Sequence, residues 1–339
     1  MPQPRVAVDA MGGDHGPAVV VEGAVLASRE LGVAVSLVGP ERVVRAELDR
    51  LGATSSVEVV DAPDAVGMGE KVSLSTLKRR SSIQVAIERV RDGQADAFFS
   101  GGNTAACWTI AKMVLGTLEE VDRPALAAVV PNRKGRTVLL DVGANAQCKA
   151  RQLEEFAVMG SAYARGVLDC DRPRVGLMSL GEEETKGSDL VREVHEVLKA
   201  SSLNFVGNVE GHDLFSGKVD VVVMDGFTGN VVLKACETLA ELVIDLIREE
   251  VGRDVRGQVG AFLLKPAFRA ARRRSDPAEI GGAPLLGLKG CCVIGHGKGR
   301  ARAVKHGIRT AAFFHASGVN AAIAAELRAL GERKEAASA

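Results

Sequence analysis

Short apolar runs, rich in β-branched residues, alternate along this chain with stretches whose apolar positions recur every three to four residues. The runs cover residues 6–9, 35–38, 57–61, 97–100, 126–130, 138–141, 175–180, 219–225 and 292–294. Several are apolar throughout rather than alternating, the pattern of strands covered on both faces. Between them, Val231, Val232, Ala235, Leu239, Leu242, Val243 and Leu246 keep the rhythm of a helix with one buried face. Similar rhythm predicts helices over residues 17–31, 82–91, 104–115, 152–168, 189–198 and 301–330. Strand–helix alternation on this scale predicts an α/β fold built on a mostly parallel, doubly wound sheet. No low-complexity linker or internal repeat divides the chain. Residues 1–331 are therefore expected to form one domain, with room for two lobes, and residues 332–339 a flexible tail.

Chemistry is expected where strands hand over to helices. The first run ends on Asp9, and the chain turns through Gly12, Gly13, Asp14 and His15 to Pro17, a residue suited to a first helical turn. Four more turns are built alike: Ser100-Gly101-Gly102-Asn103-Thr104, Asp141-Val142-Gly143-Ala144-Asn145, the stretch from Gly181 through Lys186 to Ser188, and Asp225-Gly226-Phe227-Thr228-Gly229-Asn230. Glycine lets the backbone approach a ligand, and free amides at a helix start favour an anion. One such turn alone is often only a tight connection, and Asp, Asn and Thr are ordinary helix caps. Several turns on the same sheet edge point to a shared anion pocket. Lys78-Arg79-Arg80 runs into Ser81-Ser82 before a helix, which reads equally as a phosphate or acidic-partner contact and as a solvated basic loop with a serine cap. His296 ends a strand inside a glycine turn, a fair place for a hydrogen-bonding imidazole, although a structural histidine is the more common outcome.

Composition narrows the field. Lys plus Arg equals Asp plus Glu at 43, and one Trp and one Tyr leave few stacking platforms, so nothing argues for nucleic acid. None of the six cysteines forms a Cys-x-x-Cys pair, which reads as reduced thiols without a metal or disulfide framework. No basic-then-apolar leader precedes the first strand and no apolar run is long enough to span a bilayer, so a soluble cytoplasmic protein is expected. The first turn is not G-x-G-x-x-G, and the chain lacks a P-loop, a G-x-S-x-G elbow and H-E-x-x-H. Many anion turns and few nucleophile signatures suit direct transfer, in which a bound anion is itself the nucleophile and no cofactor is needed.

The strings VAVDAMGGDHGP, SGGNT, RPALA, DVGAN, EETKG, FVGNVEG, DVVVMDGFTGNVVLK and GGAPLLG follow one another in order over nearly the whole chain. Together they resemble the PlsX family, acyl-acyl-carrier-protein:phosphate acyltransferases of bacterial phospholipid synthesis. The resemblance implies attack of inorganic phosphate on the thioester of an acyl carrier protein, giving acyl phosphate and the free carrier thiol. It also implies a fold similar to isocitrate and isopropylmalate dehydrogenases and to phosphotransacetylases, and a homodimer. The chain departs from the family pattern at His15, at Ala105-Ala106 and at Lys298-Gly299-Arg300.

On this reading phosphate sits among Gly101, Gly102, Asn103, Thr104, Asn145, Lys186 and Asn230, with Lys186 or Lys234 supplying positive charge. Lys186, Asn230 and His296 are the expected catalytic residues. Asp9, Gly12, Gly13, Asp14, His15, Asp141, Asp225 and Thr228 complete the expected binding set, the aspartates either orienting donors or only capping turns. Two other readings stay open: a phosphotransacetylase using coenzyme A or a decarboxylating dehydrogenase of related fold, and a non-catalytic membrane-surface or carrier-protein binder. Within residues 255–274, Val259, Phe262, Leu263 and Pro266 fall at helical spacing, with Leu264 and Phe268 close by. Lys265, Arg269, Arg272, Arg273 and Arg274 add dense positive charge. The segment could lie in an anionic membrane interface or pack at a dimer contact, and Pro266 predicts two short helices.

Overall fold

The computed structural model describes residues 3–275 and 281–338. β1 (Arg5–Asp9), β2 (Ala34–Gly39), β3 (Glu58–Asp61) and β4 (Ala97–Ser100) run parallel, and β11 (Cys291–Ile294) joins them beside β4. β6 (Arg136–Leu140), β7 (Val175–Met178), β8 (Phe205–Val209) and β9 (Val221–Val223) make a second parallel group. Between the groups lie β5 (Ala125–Pro131) and β10 (Ala283–Leu286). β10 is antiparallel to β11 and to β5, and β5 is antiparallel to β6. The order across the eleven-stranded sheet is β3-β2-β1-β4-β11-β10-β5-β6-β9-β7-β8. This is the mostly parallel α/β sheet that the alternation predicts.

Three antiparallel pairings in succession reverse the strand direction, so the two parallel groups point opposite ways. The turns after β1, β4 and β11 therefore leave one edge, and those after β6, β7 and β9 leave the other. This corrects the expectation that the glycine turns share one edge, which needs an uninterrupted parallel sheet. The two edges are nonetheless close. Asp141 stands level with Leu126, Leu126 pairs with Leu285, and Leu285 pairs with Cys292, two residues short of the end of β11. At about 3.3 Å per residue, the two sets of strand ends are separated by only about 7 Å along the strands.

Helices cover both faces. On one lie α1 (Gly16–Leu31), α2 (Glu41–Arg50), α6 (Ala150–Leu168), α7 (Asp189–Lys199), α10 (Ala301–Ala316) and α11 (Val319–Ser338), around buried Phe156, Phe314 and Leu140. On the other lie α4 (Ser82–Arg91), α5 (Thr104–Leu115) and the start of α8 (Gly226–Gly252), around Phe98, Ile110 and Leu139. A short helix, α3 (Leu74–Lys78), precedes α4, and α9 (Val255–Ser275) follows α8. Side-chain caps set several starts: Ser81 for α4, Asn103 for α5, Ser188 for α7 and Asp225 for α8.

Several elements differ from the sequence expectation. α2, α3, β8 and β10 were not anticipated. The helix expected over 301–330 is two, split at Gly318, whose φ of 66° is a left-handed value that a helix cannot continue through. The tail from Glu332 extends α11 to Ser338, since Glu, Arg, Lys and Ala are strong helix formers; Ala339 lies outside the described residues. α9 runs unbroken through Pro266 rather than as two helices, at an exposed site where water can serve the carbonyl that proline leaves without a donor. The apolar face of α8 is not buried: Val231, Leu239, Leu242, Val243 and Leu246 are all exposed. Periodicity reveals an apolar face but not what covers it. No described helix is long and apolar enough to cross a membrane.

Candidate active site

The expected site residues fall into two groups, one at each edge of the sheet. The first forms around Asp9, which is buried at the end of β1. Its carboxylate accepts the amide of Met11 at 3.1 Å and the hydroxyl of Ser100 at 2.6 Å. Ser100 Oγ in turn accepts the amide of Gly102 at 2.9 Å. One buried acid thus shapes two glycine turns at once. A Cβ on Gly12 would lie 2.7 Å from Asp9 Oδ2 and 2.7 Å from the amide of Gly102, so only glycine fits there. Burial pushes the Asp9 carboxyl above its ordinary range, although its hydrogen bonds pull the other way.

The turn after β11 closes onto the same place. Gly295 N donates to Ser100 O at 2.8 Å, and Asp14 N donates to Gly297 O at 2.9 Å. His296 sits between them, and α8 crosses from the second strand group to meet it. Lys234 Nζ lies 3.5 Å from His296 Nε2 and 2.9 Å from Glu237 Oε2. The amide of Lys298 donates to His296 Nδ1 at 3.3 Å. Lys234 Nζ, His296 Nε2 and Glu237 Oε2 thus meet beside the glycine turns, with Glu237 3.9 Å from His296 Nε2. At the start of α5 the amides of Thr104 and Ala105 have no intrahelical acceptor and add to the same surface.

The second group forms around Asp141. Its carboxylate accepts five N–H groups: Leu126, Gly143 and Ala144 on Oδ1, Asn145 N and Asn145 Nδ2 on Oδ2. Burial still pushes this carboxyl upward. The start of α8 packs directly on it, and a Cβ on Gly229 would lie 1.9 Å from Asp141 O. Asp225 accepts Thr228 N and Thr228 Oγ1 at 2.9 and 2.8 Å, which accounts for both residues as a cap. Asn230 is exposed, beside Gly143.

Two expected anion donors prove committed elsewhere. Asn145 spends its amide hydrogens on Pro124 O and Asp141 Oδ2, both at 2.9 Å. Asn103 spends Nδ2 on the carbonyls of Gly67, Met68 and Glu70 and Oδ1 on Ala106 N. Neither side chain can cradle phosphate while it holds its turn together; only the backbone amides remain. Lys186 is exposed in the turn after β7, one strand beyond β9 from Asp141, and among the described residues no side-chain hydrogen bond or ion pair joins it to either group. His15 is exposed before α1 without acting as its side-chain cap. Ser100 and Glu237 went unremarked as site residues. A hydroxyl next to a glycine pair, and an acid three residues after a lysine on a helix, were the signals for them.

All six cysteines are free, and burial pushes each thiol upward: Cys107 and Cys291 to about 12, Cys148 to about 11, Cys292 well above its ordinary value, and Cys170 and Cys236 less far. Two His–carboxylate groups, Glu182–His212–Asp213 and Glu184–His195–Glu196, draw their first acids from the turn of Gly181 to Ser188. A lysine ammonium already serves each, with Lys218 3.4 Å from Asp213 and Lys199 2.7 Å from Glu184. Two cavities of about 430 and 280 Å³ adjoin α6, and none of the five turns lines them.

A family model described as a fatty acid synthesis protein matches residues 4–322. A phosphate acyltransferase of Acidobacterium capsulatum is 49% identical over 327 residues, 96% of this chain and 97% of that protein. Among solved structures, a phosphotransacetylase from Streptococcus pyogenes superposes with a TM-score of 0.64 at 19% identity, covering 91% of this chain and 93% of that one. A 4-hydroxythreonine-4-phosphate dehydrogenase from Klebsiella pneumoniae gives 0.55 at 15% identity, covering 92% and 98%. At these identities the structural likenesses speak for the fold alone.

Proposed function

The chain belongs to the PlsX family of fatty acid synthesis proteins, the phosphate acyltransferases, and on that premise we propose that it moves a fatty acyl group from an acyl carrier protein thioester to inorganic phosphate. A phosphate oxygen bonds to the thioester carbonyl carbon, whose oxygen takes the negative charge. The carbon–sulfur bond then breaks, and the sulfur leaves as thiolate and takes up a proton. The products are acyl phosphate, for phospholipid synthesis, and the carrier thiol.

One observation carries this reading. Lys234 Nζ and His296 Nε2, from different strand groups, stand 3.5 Å apart beside the glycine turns. A lysine ammonium beside an imidazole suits a phosphate held next to a developing oxyanion. The raised thiols support phosphate itself as the nucleophile, since a protonated cysteine attacks poorly. Lys234→Ala and His296→Ala are expected to lower kcat/KM for phosphate by about 100-fold each, a typical effect of removing one oxyanion donor. Carrier-thiol release at subsaturating phosphate checks this, and near-wild-type rates in both variants would contradict the placement. Lys186→Ala is the comparison, since a loss as large as that of Lys234→Ala would bring the fourth turn into the site.

The exposed apolar helices fit two further roles. α8 carries five acids against two bases, α9 six bases and no acid. A second copy of this chain suits the apolar face of α8, making a homodimer. An anionic membrane suits α9, where Phe262 and Leu263 are each 72% exposed. The side chains of residues 269–275, including Arg269, Arg272, Arg273 and Arg274, lie outside the described residues. Both roles fit a cytoplasmic enzyme that works at the membrane surface.

A further inference from the structure

Residues 67–81 read GMGEKVSLSTLKRRS, with Lys71, Lys78, Arg79 and Arg80 against a single acid, Glu70, in a chain of zero net charge. The serines after this basic run are buried. Ser81 is buried and accepts Gln84 N as the cap of α4, and Ser82 is buried in the helix that follows. The cations face outward instead. Lys71, Lys78 and Arg80 are exposed, with no ion pair among the described residues, while Arg79 neutralises Glu70. In the same segment, Leu74 is 78% exposed and Met68 40%.

This basic surface is held firmly and sits on the site. Ser73 and Thr76 form a capping box at the start of α3, and Thr76 Oγ1 also donates within the loop. Asn103 joins the loop to the glycine turn: its Nδ2 donates to the carbonyls of Gly67, Met68 and Glu70 at 3.1, 3.1 and 2.9 Å. Met68 Cε reaches over Gly297, where a Cβ would lie 2.5 Å from it. The surface thus borders the turn that carries His296.

We propose that residues 67–81 are a docking platform for an acidic face of the carrier domain that delivers the acyl thioester, a proposal that rests on the carrier-dependent reaction above. Exposed, unpaired cations beside exposed apolar side chains call for an acidic protein partner, since charge complementarity steers encounter and fixes register. A membrane fits less well. α3 has five residues, about 7.5 Å of helix, and two apolar side chains give little area to insert.

The test compares two acyl donors, the same acyl chain on the carrier protein and on free pantetheine, using the Lys78→Glu/Arg80→Glu double variant and, separately, Leu74→Ser. All three positions are exposed, so the fold should hold. KM for the carrier-borne thioester is expected to rise about tenfold in the double variant and to lose its dependence on salt. KM for phosphate, turnover of acyl-pantetheine and sedimentation with anionic liposomes should stay at wild-type values. Leu74→Ser should raise the carrier KM in the same selective way. If the wild type uses both donors and the double variant is unchanged on the carrier, the platform alone is overturned. Equal losses on both donors, or loss of liposome binding in place of carrier affinity, would also overturn it. A wild type that turns over acyl-pantetheine but not the carrier thioester would overturn the carrier reading, and the platform with it.

Discussion

Asp9 and Asp141 play matching parts in the two halves of the sheet. Each ends a strand, is buried, and uses its carboxylate to shape the glycine turn that follows. Burial raises the Asp9 carboxyl above its ordinary 3.8, so the folded state holds that proton more tightly than the unfolded chain does. The stability contributed by the protonated group is full below 3.8 and is lost as pH rises from there through the native pKa. Asp9→Asn should remove this slope from a plot of unfolding free energy against pH, and a variant with the wild-type slope would contradict it. Denaturant melts across that window make the comparison. The glycine turns themselves were legible in the sequence, because strand, glycine and cap are contiguous there. The commitments of Asn103 and Asn145 were not, because their partners lie elsewhere in the chain. Asn103 holds the loop of Gly67, Met68 and Glu70, and Asn145 holds Pro124 O.

Contiguity also decided which elements could be read. Helices with a one-sided apolar stripe and a capping residue, such as α4, α5 and α7, lie within a residue of where the pattern puts them. β10 did not stand out, because Pro284 and the flanking Gly281, Gly282 and Gly287 look like a turn. α8 shows the limit of periodicity from the other side, since its stripe is regular yet exposed. The charge contrast between α8 and α9 leads to separable outcomes. Phe262→Glu with Leu263→Glu should abolish sedimentation with anionic liposomes and leave a dimer. Leu242→Glu with Leu246→Glu should instead shift the protein to monomer in sedimentation velocity. Loss of the dimer in the α9 variant, or no liposome binding by the wild type, would give α9 a packing role.

At the scale of the whole molecule, the decisive feature is the reversal of strand direction at β10 and β5. It parts the glycine turns between two edges, and α8, which starts at one edge, carries Lys234 to His296 at the other. Sequence alone shows the number and spacing of strands but not their order, so one shared edge was the natural reading and the two-edged sheet was not. Charge follows the same division. The net is zero over the chain, yet residues 67–81 and α9 are basic and α8 is acidic. The central claim is that phosphate itself takes the acyl group. ³¹P NMR of purified protein with acyl carrier protein thioester and inorganic phosphate, together with thiol titration, tests it most directly. One acyl phosphate and one carrier thiol should appear for each thioester consumed, and neither should form without phosphate. Thiol release at an undiminished rate without phosphate, or with no acyl phosphate signal, would contradict the account.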